Sequence, residues 1–202
     1  MSEDSLYPSQ TTKKKKGSSR TKLEAQDWIN AALDQLASHG IEGVRVELLA
    51  KRLNVTKGSF YWHFKDRDDL HESMLAHWRR RATLALIERL NKSESLPKDR
   101  LMKLLRLPIQ GKRSAWGADV ELAIRLWGKR DHRAAAALKE VDELRTRYIT
   151  QLFVACGVPP EEAEARANLA YSYMRVAETL IDDNDEDMLA RCEALLAGPL
   201  KV

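Results

Sequence analysis

Only two cysteines, Cys156 and Cys192, occur in 202 residues, and neither belongs to a C-x-x-C pair or stands beside clustered histidines. A disulfide framework and a thiolate zinc site are thereby excluded, and both residues read as reduced thiols of a cytoplasmic protein. No apolar run approaches the roughly 20 residues needed to cross a bilayer, and the opening MSEDSLYPSQ lacks the hydrophobic stretch of a secretory signal. The acidic run Asp182 to Asp187 lacks the turn glycine and closing glutamate of a calcium loop, and reads as a solvated linker. His71 and His77 lie six apart, on different faces of a helix, and are expected as partly exposed surface side chains. A Gly-rich phosphate loop, a nucleophile elbow and metal-ligand spacing are missing too, so neither an enzyme nor a cofactor is expected.

What is present is helical periodicity and uneven charge. The net charge is +4, with the basic excess concentrated before residue 130 and an acidic excess after it. Lys13 to Lys16 with Arg20 and Lys22 sit on a Ser/Thr/Gly-rich leader. Such a leader is disordered alone; it either tracks a phosphate backbone or is a solvated tail. Thr21 and Glu24 have capping-box spacing, followed by Trp28, Ile29, Ala32, Leu33 and Leu36 at helical intervals and a stop at His39 and Gly40. Val46, Leu49, Ala50 and Leu53 mark a second helix, although Arg45 stands where a Ser or Thr cap is expected. Asn54 suits the left-handed conformation of a tight turn between helices.

The stretch NVTKGSFYWHFK, Asn54 to Lys65, organises the chain. A helix opening at Thr56, with its hydroxyl as cap, puts Phe60 and Phe64 one turn apart on one face as anchors. At about 100° per residue Trp62 then points nearly opposite, flanked by Gly58, Ser59, Tyr61 and His63. An exposed indole, phenol and imidazole beside Lys57 and Lys65 suit an element laid in a DNA groove, with apolar edges for thymine methyls and polar tips for base edges and phosphates. The alternative is that Trp62 is core under another element. Asp66 caps a fourth helix that runs to about residue 91, and Asp68 and Asp69 complement its dipole.

Residues 21–75, above all LLAKRLNVTKGSFYWHFKDRDDL (Leu48 to Leu70), resemble the N-terminal DNA-binding domain of TetR-family transcriptional regulators. The resemblance implies base or phosphate contacts from Lys57, Ser59, Tyr61, Trp62 and His63, and backbone contacts from Thr56, Lys65 and Arg67; Arg45 and Gly58 are expected among the DNA-binding residues as well. Asn54 replaces the family's usual Gly and Arg45 its usual cap. The implied organisation is all-α: a basic leader (1–20), a three-helix helix-turn-helix domain (21–66), a linking helix (67–91), and a helical effector-binding and dimerisation domain (92–202).

Beyond the NKSESLPKD boundary the periodicity stays helical. Leu101 to Leu107 stops at Pro108, and a looser Gly111 to Gly117 precedes Val120, Ala123, Ile124 and Trp127. A long helix from about Arg133 to Cys156 carries Leu138, Val141, Tyr148, Leu152 and Ala155 on one face. Pro159 and Pro160 open the next, with an inner face of Ala163, Ala167, Ala170, Met174, Ala177 and Ile181, and Met188 to Ala197 form a last helix. In the family resembled, the two long helices pair between subunits into a homodimer; a purely intramolecular bundle is the alternative. Candidate ligand-lining residues are Trp116, Trp127, Tyr148, Phe153, Tyr171 and Tyr173, with Arg125, His132 and Glu178 as polar contacts. The expected function is a homodimeric repressor released from a near-palindromic double-stranded DNA operator by a small-molecule effector. The alternative is an architectural or division-associated DNA-binding protein of the same fold without an effector.

Overall fold

The computed structural model describes residues 23–92, 96–106, 112–180 and 186–198. Within them every regular element is helical. The chain divides into two compact units, residues 1–81 with 119–135 and residues 82–118 with 136–202.

The first unit begins with α1 (Ala25–His39). Its cap is Glu24, whose backbone N–H donates to Asp27 at 2.8 Å in a reciprocal capping box. This replaces the expected Thr21–Glu24 pair: the helix starts three residues later, and Thr21 lies outside the described residues. A 3₁₀ turn (Ile41–Gly43) follows Gly40, and there Gly43 is a steric requirement, since a Cβ would sit 2.5 Å from the His39 Cβ. α2 (Val46–Arg52) opens on an extended Arg45 with no side-chain cap, so the buried Leu49 and Ala50 hold it in place. Asn54 has φ +56°, the left-handed conformation expected of it.

α3 (Lys57–Phe60) and α4 (Arg67–Arg79) complete the helix-turn-helix part, and Asp66 caps α4 by accepting from Asp69 N–H at 2.9 Å. The expected single helix to residue 91 is instead α4, a π turn (Arg80–Leu84) and α5 (Ala85–Lys92). A π turn admits one extra residue into the helical ladder and shifts the apolar face after it. The core of this unit is Trp28, Leu33, Leu36, Leu49, Phe60, Leu70, Met74 and Trp78.

His71 departs from expectation. It is 5 % exposed and packs edge-on against Trp127, with ring centroids 5.1 Å apart. Its turn of α4 is covered by the end of α7 (Lys112–Gly128), which the local sequence around His71 does not reveal. Arg67 Nε–H donates to His71 Nε2 at 3.3 Å, so the neutral ring carries its proton on Nδ1. Among the described residues that Nδ1 has no hydrogen-bond partner; the Asp68 carboxylate stands 3.8 Å away. Burial, reinforced by Arg67 and Arg133, pushes the imidazole pKa down to about 4.

In the second unit, Leu101 and Leu105 of α6 (Pro97–Arg106) and Leu152 and Phe153 of α8 (His132–Ala155) share a core with α9 (Pro160–Leu180). Ala163, Ala167 and Ala170 line the seam of α9, and small side chains there permit close helix approach. Ala177 and Ile181, expected on that seam, lie outside the residues whose side chains are described. On α8 the buried stripe steps from Leu152 and Phe153 to Cys156, leaving Ala155 exposed, contrary to its expected inward place. The expected loose Gly111–Gly117 stretch is helical from Lys112. Glu193 of α10 (Glu186–Ala197) is 2 % exposed and accepts two bonds from Arg106, at 2.7 and 2.9 Å. A buried carboxylate needs such a bidentate partner. Tyr171 O–H donates to Asp142 at 2.5 Å and accepts from Arg145 at 3.3 Å, joining α8 to α9.

A histidine whose folded pKa is depressed loses stability as the unfolded chain takes up its proton. Stability should therefore be full above about pH 6.5 and fall toward pH 4, by up to roughly 3 kcal/mol from this residue. Denaturant unfolding at a series of pH values should show this slope in the wild type and lose it in His71→Gln.

Candidate nucleic-acid interface

α3 is a single turn. Ser59 N–H donates to Thr56 C=O at 3.0 Å, and both His63 N–H and Phe64 N–H converge on Phe60 C=O, at 2.9 and 3.0 Å. Residues 61–63 are thus a turn hung from Phe60, shorter than the helix through Phe64 expected from the spacing. Thr56 occupies the cap position in extended conformation, but its hydroxyl makes no capping bond, contrary to expectation. The compensation is aromatic: Phe60 is fully buried, 5.4 Å from Trp28 edge-on and 5.3 Å from Phe64, itself 4 % exposed. Phe60 and Trp28 each remove a large apolar surface from water, and their edge-to-face contact adds about 0.5–1.5 kcal/mol.

That anchoring decides what faces solvent. Trp62 is 87 % exposed and Tyr61 64 % exposed, the latter leaning edge-on against Phe60 at 5.2 Å. Arg45, Thr56, Lys57, Gly58, Lys65 and Arg67 are exposed, and Ser59 and His63 are half-buried. A Cβ on Gly58 would meet only the Thr56 hydroxyl, at 3.7 Å. The fold does not require a glycine there, and its absent side chain leaves the backbone open to close approach from outside.

Two basic residues are engaged within the protein. Lys57 Nζ pairs with the Glu47 carboxylate, which this contact and a backbone hydrogen bond hold below the usual carboxylate range. Arg67 turns inward: its Nε meets His71 and its Nη2 donates to Ile41 C=O at 3.0 Å. Neither Glu47 nor the inward turn of Arg67 was legible from spacing, because both contacts depend on how separate elements fold together.

The candidate ligand residues fall in different places. Trp127 is buried in the first unit and lines a cleft of about 710 Å³ there. In the same unit Arg125 donates to Glu121 at 2.9 Å and His132 is exposed. In the second unit Phe153 is fully buried core, Tyr171 is bonded to Asp142, and the buried Tyr173 hydroxyl has no hydrogen-bond partner among the described residues. Trp116 is half-buried, and the Glu178 side chain lies outside the described residues. Tyr148 lines a cleft of about 360 Å³ together with Asn91, Arg100, Arg147 and Gln151, none of which the sequence singled out. The available signal was the shared face of Leu144, Tyr148, Gln151 and Ala155 on α8. Among the described residues no group of histidine, cysteine or carboxylate side chains is placed to hold a metal, and no helix is long and apolar enough to cross a membrane.

Residues 29–74 match the family model described as "Bacterial regulatory proteins, tetR family". The chain is 43 % identical over 60 residues to the tetracycline repressor protein class A from transposon 1721 of Escherichia coli, a match covering 28 % of each chain. It therefore spans little more than a quarter of the length of such curated relatives. A transcriptional regulator from Rhodococcus sp. Rha1 superposes with a TM-score of 0.67 at 20 % identity, over 87 % of this chain and 95 % of its own. A structure from Saccharomonospora viridis in complex with choline superposes at 0.66 and 14 % identity, over 85 % and 92 %. At these identities the two superpositions establish a shared fold.

The Glu47 carboxylate beside Lys57 sets an electrostatic test. Glu47→Gln should tighten binding to duplex DNA and steepen the log–log salt dependence by up to about 0.9. Fluorescence anisotropy with a labelled duplex over a salt series measures both; an unchanged slope would mean that Lys57 meets no phosphate.

Proposed function

Because the N-terminal domain belongs to the TetR family of bacterial regulatory proteins, we propose that the protein is a cytoplasmic, homodimeric transcriptional repressor that leaves its operator when a small molecule binds. The observation that carries this reading is Trp62, held 87 % exposed at the tip of a turn whose inner aromatics are sealed in the core. An indole in water gains nothing for the fold, whereas in a major groove it meets thymine methyls and base edges. Tyr61, Ser59 and His63 share the reading with it. Lys57, Lys65, Arg45 and Thr56 supply phosphate contacts, and Gly58 lets the backbone come close. Arg67 reaches phosphate only if it leaves His71 and Ile41.

A dimer is supported by apolar surface left on the long helices. Leu169 is 63 % and Val176 47 % exposed, seven residues apart on one face of α9, and Val154 of α8 is 42 % exposed. Two copies related by a two-fold axis bury such a stripe and set two reading turns on successive major-groove faces, about 34–36 Å apart or somewhat more. The effector step is supported by the clefts described above and by the choline-bound neighbour, in which this fold holds a small organic molecule.

Sequencing the duplexes that the purified protein selects from a random pool tests the reading, and a near-palindrome is expected. Trp62→Ala should change stability by no more than about 0.5 kcal/mol, as exposed positions do. It should weaken the selected site by about 10- to 100-fold, the equivalent of one good base contact, with little effect on random DNA. Equal loss on both DNAs would remove Trp62 as the reader.

A further inference from the structure

We propose that the 360 Å³ cleft between α5, α6 and α8 binds an organic anion with an apolar body, an inference that gives the effector reading above a ligand class. Among the described residues its lining contains two arginines, Arg100 and Arg147, and no aspartate or glutamate. In a chain that is one third charged and acidic over its last third, a cleft whose described charged residues are both cations is selective by composition. It repels cationic ligands and favours an anion over a neutral molecule of the same shape.

Its polar groups are arranged as donors. Tyr148 O–H donates to Asn91 Oδ1 at 2.9 Å, and Arg100 Nη1 approaches the same oxygen at 3.4 Å. With the amide oxygen so occupied, the N–H₂ group is the part of the Asn91 side chain that can still donate to a ligand. Gln151 brings a second amide to the lining. Arg147 is exposed, and among the described residues no carboxylate pairs with it. Burial raises the Tyr148 pKa while Arg100 works against that shift, so the phenol stays protonated at neutral pH and keeps its one proton on Asn91. A planar carboxylate matches the fork of a guanidinium and takes two parallel hydrogen bonds from it.

The remaining wall is apolar. Ile87, Pro97, Leu144 and Leu152 offer hydrocarbon surface beside the arginines. A bare inorganic anion leaves that surface wet, whereas an attached alkyl or aryl body covers it, adding about 25 cal/mol for each Å² removed from water. Pro97 opens α6, so the positive end of that helix dipole also borders the cleft; Asp99, the acidic residue of the same turn, is not part of the lining. The volume falls in the range of small-molecule sites.

Octanoate, octylammonium, octanol and inorganic phosphate are the probes, titrated into the full-length protein by calorimetry with melting temperature as a second readout. Octanoate should bind at least tenfold tighter than each of the other three. Arg147→Gln, at an exposed position that the fold tolerates, should weaken octanoate about tenfold, and Arg100→Gln combined with it should abolish binding. Arg147→Lys should retain part of the affinity, as a point charge without the fork. Equal affinity for octylammonium or octanol, or undiminished octanoate binding in the double variant, overturns the anion site. Octanoate that binds as expected yet leaves affinity for the pool-selected duplex unchanged upholds the site and removes the effector role. A protein that selects a palindrome but ignores octanoate keeps the regulator reading and loses this one.

Discussion

The contact between Phe60 and Trp28 is the constraint from which the interface follows. A one-turn helix has no cooperative stability of its own, since nucleation fixes several dihedrals for almost no hydrogen bonding. α3 also lacks the hydroxyl cap that its sequence offers. What holds it is burial: Phe60 wedged edge-on against Trp28, Phe64 behind it, and two backbone N–H groups folded back onto the Phe60 carbonyl. With those rings fixed inward, the backbone leaves Tyr61 and Trp62 no direction but outward. The exposure of Trp62 is thus a consequence of core packing two residues on either side of it, and its cost in solvated apolar surface is tolerated because the anchors are so well buried.

A second constraint sits directly behind this turn. Arg67, one residue past the α4 cap, is tied to the neutral His71 and to a carbonyl of the 3₁₀ turn. His71 in turn leans on Trp127, and Arg133 bonds both Asp131 and Asp68. Asp131 is held well below the usual carboxylate range by Arg133, and Arg133 correspondingly above its ordinary value. The charges here satisfy each other, so the group around His71 acts as a brace for the first turn of α4. Surface pairs of this kind contribute little energy singly, but the buried imidazole and indole at their centre give the arrangement one preferred geometry.

Much of the helix-turn-helix part was legible because its signals are local. Periodicity located α1, α2 and the start of α4 within a few residues, Asn54 announced its left-handed turn, and Asp66 its cap. The misplaced cap of α1 shows the limit of a motif: Thr21–Glu24 and Glu24–Asp27 both have the spacing, and only the helix start chooses between them. His71 was misread for another reason. Its own helix face looks half polar, and the element that covers it comes from more than fifty residues later. The same holds for the second cleft. Tyr148 was visible as an aromatic on a long helix, but Asn91, Arg100 and Arg147 belong together only once α5, α6 and α8 meet. Nothing in one segment carries a contact made by three.

This asymmetry has a physical origin that bears on function. A DNA-reading turn must present fixed groups at a fixed distance from the helices that carry it, so the residues that specify it lie within a short stretch of chain. A small-molecule cleft is instead a space left between helices, and many side-chain combinations leave a space of equal volume. Its chemistry is carried by the sign of the charges on its rim and by whether its polar groups donate or accept. In this protein the lining carries two arginines, a tyrosine hydroxyl and two amide groups, and among the described residues no carboxylate lines the cleft. Asp142 and Glu143 lie on the same helix, α8, yet neither lines this cleft, and that separation is what the proposed anion site requires.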